Sequence, residues 1–271
     1  MTLKSANIGI IGGAGMLGSA MVKALLERGA VPAQRLWVSN RSGRAESLAA
    51  WPDLNLTTSA QALADNCDIV ILCIPPAGFA KLEINLTGKL VISVMAGVSL
   101  GSLAAQTGAA RVVRAISSPA AAHGLAYSPW VASASVTETD RALVTALLSA
   151  CGLTDEVPTE AEVECFTALT GPVPGFVAFF ADAMAHYATT QGVAPAIADR
   201  AIRQLFLSAG HMLATGPETP ADHVAQMVDY AGTTAAGLRA MQKAGLGALI
   251  GQGLDASVEA TRKIYPDQGP Q

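Results

Sequence analysis

Six residues near the amino terminus have the spacing of a phosphate-binding turn. The segment Gly13-Ala14-Gly15-Met16-Leu17-Gly18 follows an apolar stretch and precedes a run with helical periodicity. In such a turn Gly13 permits a tight bend, Gly15 lets the backbone approach a pyrophosphate, and Gly18 allows close packing of helix on sheet. The amides and dipole of the helix would stabilise the phosphate charge. The pattern predicts a dinucleotide site and favours it over a glycine turn without a ligand.

The end of the second predicted strand bears on the choice of coenzyme. It reads Val38-Ser39-Asn40-Arg41-Ser42-Gly43-Arg44 and contains no carboxylate. Sites that prefer NAD usually place an acidic residue here, which accepts hydrogen bonds from the ribose hydroxyls. Arg41, with Ser39 and Asn40, could instead bind a 2′-phosphate. The sequence therefore favours NADPH over NADH, the alternative being that Arg41 and Arg44 are solvated loop charges.

The elements around this turn alternate between strand and helix, which is typical of βαβ units and a parallel sheet. Strands are predicted at 7–11, 35–39, 54–57, 68–74, 90–94 and 111–115. Helices are predicted at 16–28, 42–50 and from about 99. This α/β arrangement places the glycine turn at the carboxyl end of the first strand.

The second half of the chain has a different character. Helices are predicted at 137–150, 158–168, 174–191, 195–214, 220–229, 233–244 and 246–264, without a convincing strand. Thr137 with Asp140 has the pattern of a capping box, and Thr219-Pro220 is a helix-start signal. We predict two domains, 1–157 and 158–271.

Composition excludes several classes of protein. The 271 residues are 51% hydrophobic and 14% charged, with a formal net charge of −4. A general nucleic-acid binder needs a basic face, and no uninterrupted apolar span is long enough for a membrane. Without an apolar signal region at the amino terminus, the chain is expected to be cytoplasmic. The four cysteines lack a C-x-x-C pair and the histidines lack ligand spacing, so no metal site is predicted.

One predicted helix, 174–191, is apolar on most of its sides. It contains Phe176, Phe179, Phe180 and Tyr187, with alanine at most other positions. Such a helix is buried rather than solvated. The segment that would have to bury it is short, so we favour a helix enclosed by a second subunit over an intramolecular core helix.

Seven segments of the chain follow one another in a specific order and spacing, namely NIGIIGGAGMLGSAM, WVSNRS, DIVILCIPP, VISVMAGVSL, RVVRAISSPA, TALTGPVPGFV and YAGTTAAGL. In that order and spacing they resemble the pyrroline-5-carboxylate reductase family. The resemblance implies a Rossmann domain with a doubly wound, mostly parallel sheet, followed by an all-α domain that forms a homodimer or a higher oligomer of dimers. It also implies NADPH-dependent reduction of a cyclic imine, 1-pyrroline-5-carboxylate, to L-proline, a step of proline biosynthesis.

The resemblance also implies further site residues. Ile74, Pro75 and Ala96 would flank the coenzyme, together with Gly13, Gly15, Met16, Leu17, Ser39, Asn40 and Arg41. Thr167 matches a threonine near the substrate nitrogen, where it would be a hydrogen-bond partner or proton relay; the alternative is a hydroxyl bonded to its own helix. Gly232, Thr233 and Thr234 match the end of a substrate loop at a helix start, where they would bind a carboxylate, Thr234 also serving catalysis. Simple helix capping uses the same residues.

The chain departs from the family where substrate binds. The usual Ser-Pro-Gly-Gly-Thr-Thr reads Asp229-Tyr230-Ala231-Gly232-Thr233-Thr234 here. Asp229 would repel a carboxylate, so it suggests an imine with extra positive charge or without the carboxylate. Other changes give Gly171-Pro172-Val173-Pro174-Gly175-Phe176 for Gly-Ser-Gly-Pro-Ala-Tyr, and Ile116-Ser117-Ser118 for Met-Pro-Asn. A lysine often found before the proline is absent from Ile74-Pro75-Pro76.

Three functions follow from these observations. The first is an NADPH-dependent pyrroline-5-carboxylate reductase. The second is a paralogous NADPH oxidoreductase that acts on another cyclic imine or a carbonyl. The third is a dimer that binds NADP without turnover. They rank in that order, since a fold match leaves the reaction to the site.

Overall fold

A computed structural model of the chain describes residues 2–265. These residues form two compact units, one that runs through Val173 and resumes at Ala256, and one that comprises Pro174–Asp255. The boundary between the two units follows Val173, whereas the sequence predicted a boundary between residues 157 and 158. The reason is that the helix beginning at Glu160 packs on the sheet of the first unit.

The first unit is built on a seven-stranded sheet. The strands of the chain are β1 Ile8–Ile11, β2 Leu36–Ser39, β3 Asn55–Thr57, β4 Ile69–Leu72, β5 Leu90–Ser93, β6 Arg111–Ala115, β7 Ala126–Tyr127, β8 Trp130–Ala132 and β9 Gly152–Leu153. The large sheet has the order β3-β2-β1-β4-β5-β6-β8, and only the β6–β8 pair is antiparallel. β7 and β9 form a separate two-stranded sheet. This order is that of the Rossmann fold, so the predicted fold class is confirmed.

Helices cover both faces of the sheet. They are α1 Met16–Glu27, α2 Ala60–Asn66, α3 Pro76–Phe79, α4 Leu100–Thr107, α5 Glu138–Ser149 and α6 Glu160–Leu169, with 3-10 turns at Ala33–Arg35, Glu46–Leu48 and Pro119–His123. Successive side chains of a strand point to opposite faces, so β1 contributes to two cores. Ile8 and Ile10 join one hydrophobic cluster and Ile11 joins the other. Burial of both faces explains why these strands are continuously apolar.

Two sequence predictions are wrong in this unit. Residues 42–50 do not form a helix, because Gly43 has a φ of +65° and the segment contains only the 3-10 turn at Glu46–Leu48. A strand does occur after residue 137, because the backbone of Gly152–Leu153 pairs with β7. The capping box of α5, with Thr137 and Asp140, is confirmed.

The second unit is helical. It contains α7 Gly175–Thr190, α8 Pro195–Thr215, α9 Pro220–Asp229, α10 Thr233–Lys243 and the start of α11 Leu246–Ile264, which ends in the first unit. These helices confirm the predicted ones, and α9 begins with a capping box of Thr219 and Asp222. None of the helices described is long and apolar enough to cross a membrane.

A single chain leaves much of the second unit unburied. α7 packs against α8, yet no residue of α7 is buried. The large apolar side chains that remain exposed include Phe176, Phe179, Met184, Tyr187, Leu207 and Met212. Soluble proteins rarely expose so much apolar surface on two adjacent helices unless another molecule covers it.

Candidate active site

The carboxyl ends of four parallel strands lie in one row. Ile11 is in register with Ser39 on one side and with Leu72 on the other, and Leu72 is in register with Ser93. The sheet thereby brings together the loops that carry the predicted coenzyme residues. This carboxyl edge of the sheet includes the point between β1 and β4 where the strand order reverses. Open α/β sheets bind ligands at such a point.

The glycine turn bends at Gly12, not at Gly13 as the sequence suggested. Gly12 has a φ of +83°, and its amide donates to the carbonyl oxygen of Ser39 at 2.8 Å. A Cβ at this position would lie 2.3 Å from the carbonyl oxygen of Cys73. Gly13 meets a different limit, because its Cβ would lie 2.9 Å from Cγ1 of Val38. The sequence signal for Gly12 was its place directly after the strand.

Gly15 and Gly18 also suit a dinucleotide-binding turn. Gly15 caps α1 without a side chain that could accept from the first amides of the helix. A Cβ at Gly18 would lie 2.3 Å from the carbonyl oxygen of Gly12, so this glycine lets helix and turn pack closely. Met16 is exposed and Leu17 half-buried in the first turn of α1. The first amides of α1 have no side-chain acceptor at the N-cap and follow a glycine-rich turn, and such amides are the donors that a pyrophosphate needs.

The turn after β2 is organised by its own polar groups. Asn40 Nδ2 donates to the carbonyl oxygen of Arg44 at 2.5 Å, and the Asn40 amide donates to Thr57 at 3.2 Å. Arg41 is exposed, and within residues 2–265 it forms no ion pair. Ser39 is buried at the end of the strand. The exposed guanidinium of Arg41 is therefore available to bind an anion such as the 2′-phosphate.

The loops after β4 and β5 carry the remaining predicted coenzyme residues. The Cys73 amide donates to the carbonyl oxygen of Ile11 at 2.9 Å, and Ile74 and Pro75 follow. Burial raises the pKa of the Cys73 thiol to about 12, so the group is protonated at neutral pH. In the neighbouring loop, Ala96 is half-buried and precedes Gly97, whose φ is +75°.

Thr167 lies in α6 of the first unit. Its Oγ1 donates to the carbonyl oxygen of Val163 at 2.8 Å, which is the back-bonded arrangement of a helix-interior threonine. Gly171 follows closely, since a Cβ there would lie 2.6 Å from the Thr167 carbonyl oxygen. The hydroxyl hydrogen is thus engaged, while the oxygen keeps capacity to accept.

The loop predicted to bind substrate lies in the second unit. Asp229 ends α9 and is exposed, and Gly232 is the N-cap of α10. Thr233 and Thr234 occupy the exposed first turn of α10, next to amides that lack an intrahelical acceptor. Ala231 has a φ of +57°, a conformation that favours glycine. This helix start could bind an anion, whereas Asp229, three residues before Gly232 in the sequence, adds negative charge.

Side chains suited to metals are dispersed. Within residues 2–265 no group of three or more His, Cys, Asp or Glu side chains could bind a metal ion. His211 is exposed on α8, and His223 is half-buried on α9, where its Nε2 has no hydrogen-bond partner in the part of the chain described. Both lie in the second unit, as does the exposed Tyr230.

Two family models match the chain. Residues 160–264 match a model described as pyrroline-5-carboxylate reductase dimerisation. Residues 7–97 match a model described as NADP oxidoreductase, coenzyme F420-dependent. Together the matches include the glycine turn, the loop after β5, Thr167 and the loop before α10.

Similar proteins cover nearly the whole chain. Pyrroline-5-carboxylate reductase 3 of Macaca fascicularis is 30% identical over 260 residues, which are 93% of this chain and 94% of that protein. The crystal structure of 1-pyrroline-5-carboxylate reductase from Streptococcus pyogenes has a TM-score of 0.81 and 28% identity, covering 94% of this chain and 97% of that one. The Plasmodium falciparum pyrroline carboxylate reductase, solved with NADP bound, shares the fold at 20% identity, with a TM-score of 0.83 and coverages of 97% and 99%.

Proposed function

The chain belongs to the pyrroline-5-carboxylate reductase family, and from that premise we propose that it is an NADPH-dependent reductase of a cyclic imine, 1-pyrroline-5-carboxylate, which it converts to L-proline. The observation that carries this proposal is similarity at 30% identity across 93% of the chain, which includes both the coenzyme unit and the helical region. A resemblance limited to the Rossmann unit would have left the reaction open.

The residues of the first unit fit NADPH. When bound, NADPH supplies the hydride that reduces the carbon of the C=N bond. Gly13, Gly15, Met16 and Leu17 would bind the pyrophosphate through the backbone of the turn and the start of α1. Ser39, Asn40 and Arg41 would bind the 2′-phosphate, and Ile74, Pro75 and Ala96 would flank the coenzyme.

Thr167 is proposed as a hydrogen-bond acceptor for the substrate nitrogen. Its hydroxyl hydrogen is donated to Val163 at 2.8 Å, so the free lone pair of Oγ1 can accept from an iminium N–H. This geometry favours orientation of the imine over proton donation by Thr167. An iminium is already electrophilic, so positioning contributes the larger part of catalysis.

Thr234 and its neighbours are proposed to bind the substrate from the second unit. Gly232, Thr233 and Thr234 offer amides and hydroxyls at the start of α10, which suits a carboxylate. Thr234 would orient the bound imine for reduction. The minimal assembly is a homodimer, which would cover the apolar face of α7, and we propose that dimers associate further in a cytoplasmic enzyme.

One observation favours a second candidate substrate. Asp229 is exposed at the carboxyl end of α9, where the helix dipole is already negative, three residues before the proposed carboxylate site. An imine without a carboxylate, or with an additional positive charge, would be bound better there. The second candidate is therefore an NADPH-dependent reductase of such an imine.

Exchange of Asp229 separates the two candidates. In the wild type, 1-pyrroline-5-carboxylate and 1-pyrroline, which lacks the carboxylate, are compared as substrates by the formation of L-proline or pyrrolidine. If the first candidate is correct, the wild type forms L-proline with the higher kcat/KM. If the second is correct, 1-pyrroline is preferred and Asp229→Ser shifts the preference toward the carboxylate, whereas the control Asp255→Ser, at an exposed acid on α11, does not.

A further inference from the structure

The last turn of α11 lies against the loop that connects β5 to α4. Gly97 in this loop has a φ of +75°, and a Cβ there would lie 2.6 Å from the carbonyl oxygen of Thr261. Thr261 is buried. Four residues after Thr261, just past the end of α11, the ring of Tyr265 contacts Phe79 of α3 with centroids 5.9 Å apart. The last turn of α11 and the residue after it thus contact the loop that follows β5 and the short helix α3, which begins directly after Ile74 and Pro75.

A chain of ion pairs fixes this helix end. The guanidinium of Arg114, only 3% exposed, contacts Glu160 at 2.8 Å and Glu164 at 3.4 Å. The second oxygen of Glu164 accepts from Nε of Arg262 on α11 at 2.9 Å. Glu160 in turn accepts from the Leu100 amide at 3.0 Å, at the end of the same loop that contains Gly97. The loop is therefore connected to the network at Leu100 through Glu160, and it contacts at Gly97 the helix to which Arg262 belongs.

The network also includes the helix that carries Thr167. Glu160, Glu164 and Thr167 follow one another at spacings of four and three residues, so they lie along one face of α6. A buried arginine that has lost a carboxylate partner is costly, which restrains α6 and β6 against each other. The ion pairs accordingly set the position of α6 relative to the loop with Ala96, and α11 forms the outer part of the network.

We propose that Arg262 is a positioning residue for coenzyme binding and hydride transfer. Through Glu164 it fixes the last turn of α11, which contacts the Met95–Gly97 loop, and this loop is one of those proposed to flank the coenzyme. No part of the glycine turn or of the 2′-phosphate site is involved. The inference depends on the proposed function only in assigning the loop to the coenzyme.

Arg262→Ala is compared with Lys263→Ala to test this inference. Lys263 is the adjacent residue, and its ion pair with Glu259 at 2.6 Å stays within α11, so it controls for loss of an exposed cation from the same turn. The Arg262 side chain is 60% exposed and its pair is partly screened. We therefore expect Arg262→Ala to weaken NADPH binding, measured by fluorescence titration, about two- to fivefold. We expect kcat to fall as well, while the KM for the imine and the melting temperature match those of Lys263→Ala.

Two further variants make the outcome specific. Arg262→Lys keeps a cation near Glu164 and should restore most of the NADPH affinity. In a Glu164→Gln background, Arg262→Ala should have no further effect, because the pair is already lost. The inference is overturned if Arg262→Ala binds NADPH as Lys263→Ala does, or if only the melting temperature changes. A wild type that fails to bind NADPH would instead contradict the proposed function.

Discussion

Arg41 is the residue proposed to select NADPH. It is exposed after β2, in a turn that contains no carboxylate, and the described chain offers it no ion-pair partner. A hydrogen bond to a charged group contributes about 1.5–3 kcal/mol, which corresponds to about 10- to 100-fold in affinity. We expect Arg41→Ala to raise the Kd for NADPH by a factor in this range and to leave the Kd for NADH unchanged, both measured by fluorescence titration.

Arg44 provides the comparison for Arg41. Its backbone closes the turn through the bonds to Asn40 and Ser42, and these bonds do not depend on the guanidinium. Arg44→Ala should therefore weaken NADPH binding less than Arg41→Ala does. Equal losses for NADPH and NADH in Arg41→Ala would mean that Arg41 supports the turn and does not select the phosphate.

The Cys73 thiol should be unreactive, although it lies at the carboxyl edge of the sheet next to the proposed coenzyme residues Ile74 and Pro75. Burial, and next the nearby Cys151, raise its pKa to about 12, so the reactive thiolate is scarce near neutral pH and increases only as the pH approaches that value. We expect iodoacetamide at pH 8 to leave Cys73 unmodified in the native protein, as read by peptide mass spectrometry. Unfolding in urea should expose it to reaction. Rapid labelling of Cys73 in the native state would contradict the raised pKa of its thiol.

At the scale of elements, Asp140 joins the start of α5 to β6. One oxygen accepts from the Thr137 amide and hydroxyl at 3.0 and 2.8 Å, and the other contacts Arg111 at 2.7 Å. Asp140→Ala keeps Thr137 as the N-cap but removes the hydrogen bonds that Asp140 accepts in the capping box, at a cost of about 1 kcal/mol, and loss of the partly exposed ion pair adds about 1 kcal/mol more. We expect Asp140→Ala to lower the free energy of unfolding by about 2 kcal/mol in urea denaturation at fixed protein concentration.

Glu138 is a matched control for Asp140 on the same helix. Its side chain is almost fully exposed, and its contact with Arg141 is 3.6 Å. Glu138→Ala should change the free energy of unfolding by less than about 0.5 kcal/mol. Similar effects of the two substitutions would indicate that the charge at the helix start, and not the specific bonds of Asp140, stabilises α5.

The regular elements were predictable because their signals are local. β1 and β4 are continuously apolar, β5 is apolar up to Ser93, and α5 and α9 begin with capping boxes that can be read from the sequence. The segment 42–50 was not predictable in the same way, because side-chain bonds from Asn40 and Ser42 stabilise a turn there. β9 has only two residues and depends on its partner strand.

The candidate site was likewise predictable only where its signals are local in the sequence. The glycine turn and the loop after β2 follow from residue types at fixed spacing, and the structure places them at one edge of the sheet. The contact between Gly97 and Thr261 joins residues far apart in sequence, so no local pattern could reveal it. The roles of Asp229 and Thr234 depend on the substrate and stay predictions.

At the scale of the whole molecule, the exposed face of α7 should be the centre of the dimer interface. Phe179 is 72% exposed in the single chain, within the region that matches the dimerisation model. Burying a Phe side chain contributes about 1.5–3 kcal/mol, and a carboxylate in its place would also have to be desolvated. We expect Phe179→Asp to shift the protein from dimer to monomer in sedimentation velocity experiments.

Leu125 is a control for this substitution. It is 77% exposed but lies in the first unit, outside the dimerisation match. Leu125→Asp should leave the dimer intact. A Phe179→Asp protein that sediments as the wild type does would show that α7 is not covered by the partner subunit.

Turnover of a cyclic imine tests the proposed function most directly. Purified protein is titrated with NADPH, and the same sample is then given 1-pyrroline-5-carboxylate while NADPH consumption and L-proline formation are measured. We predict saturable NADPH binding and one L-proline formed for each NADPH consumed. Tight NADPH binding without consumption, with this substrate and with cyclic imines that lack the carboxylate, would contradict the proposal and identify a dimer that binds the coenzyme without catalysis.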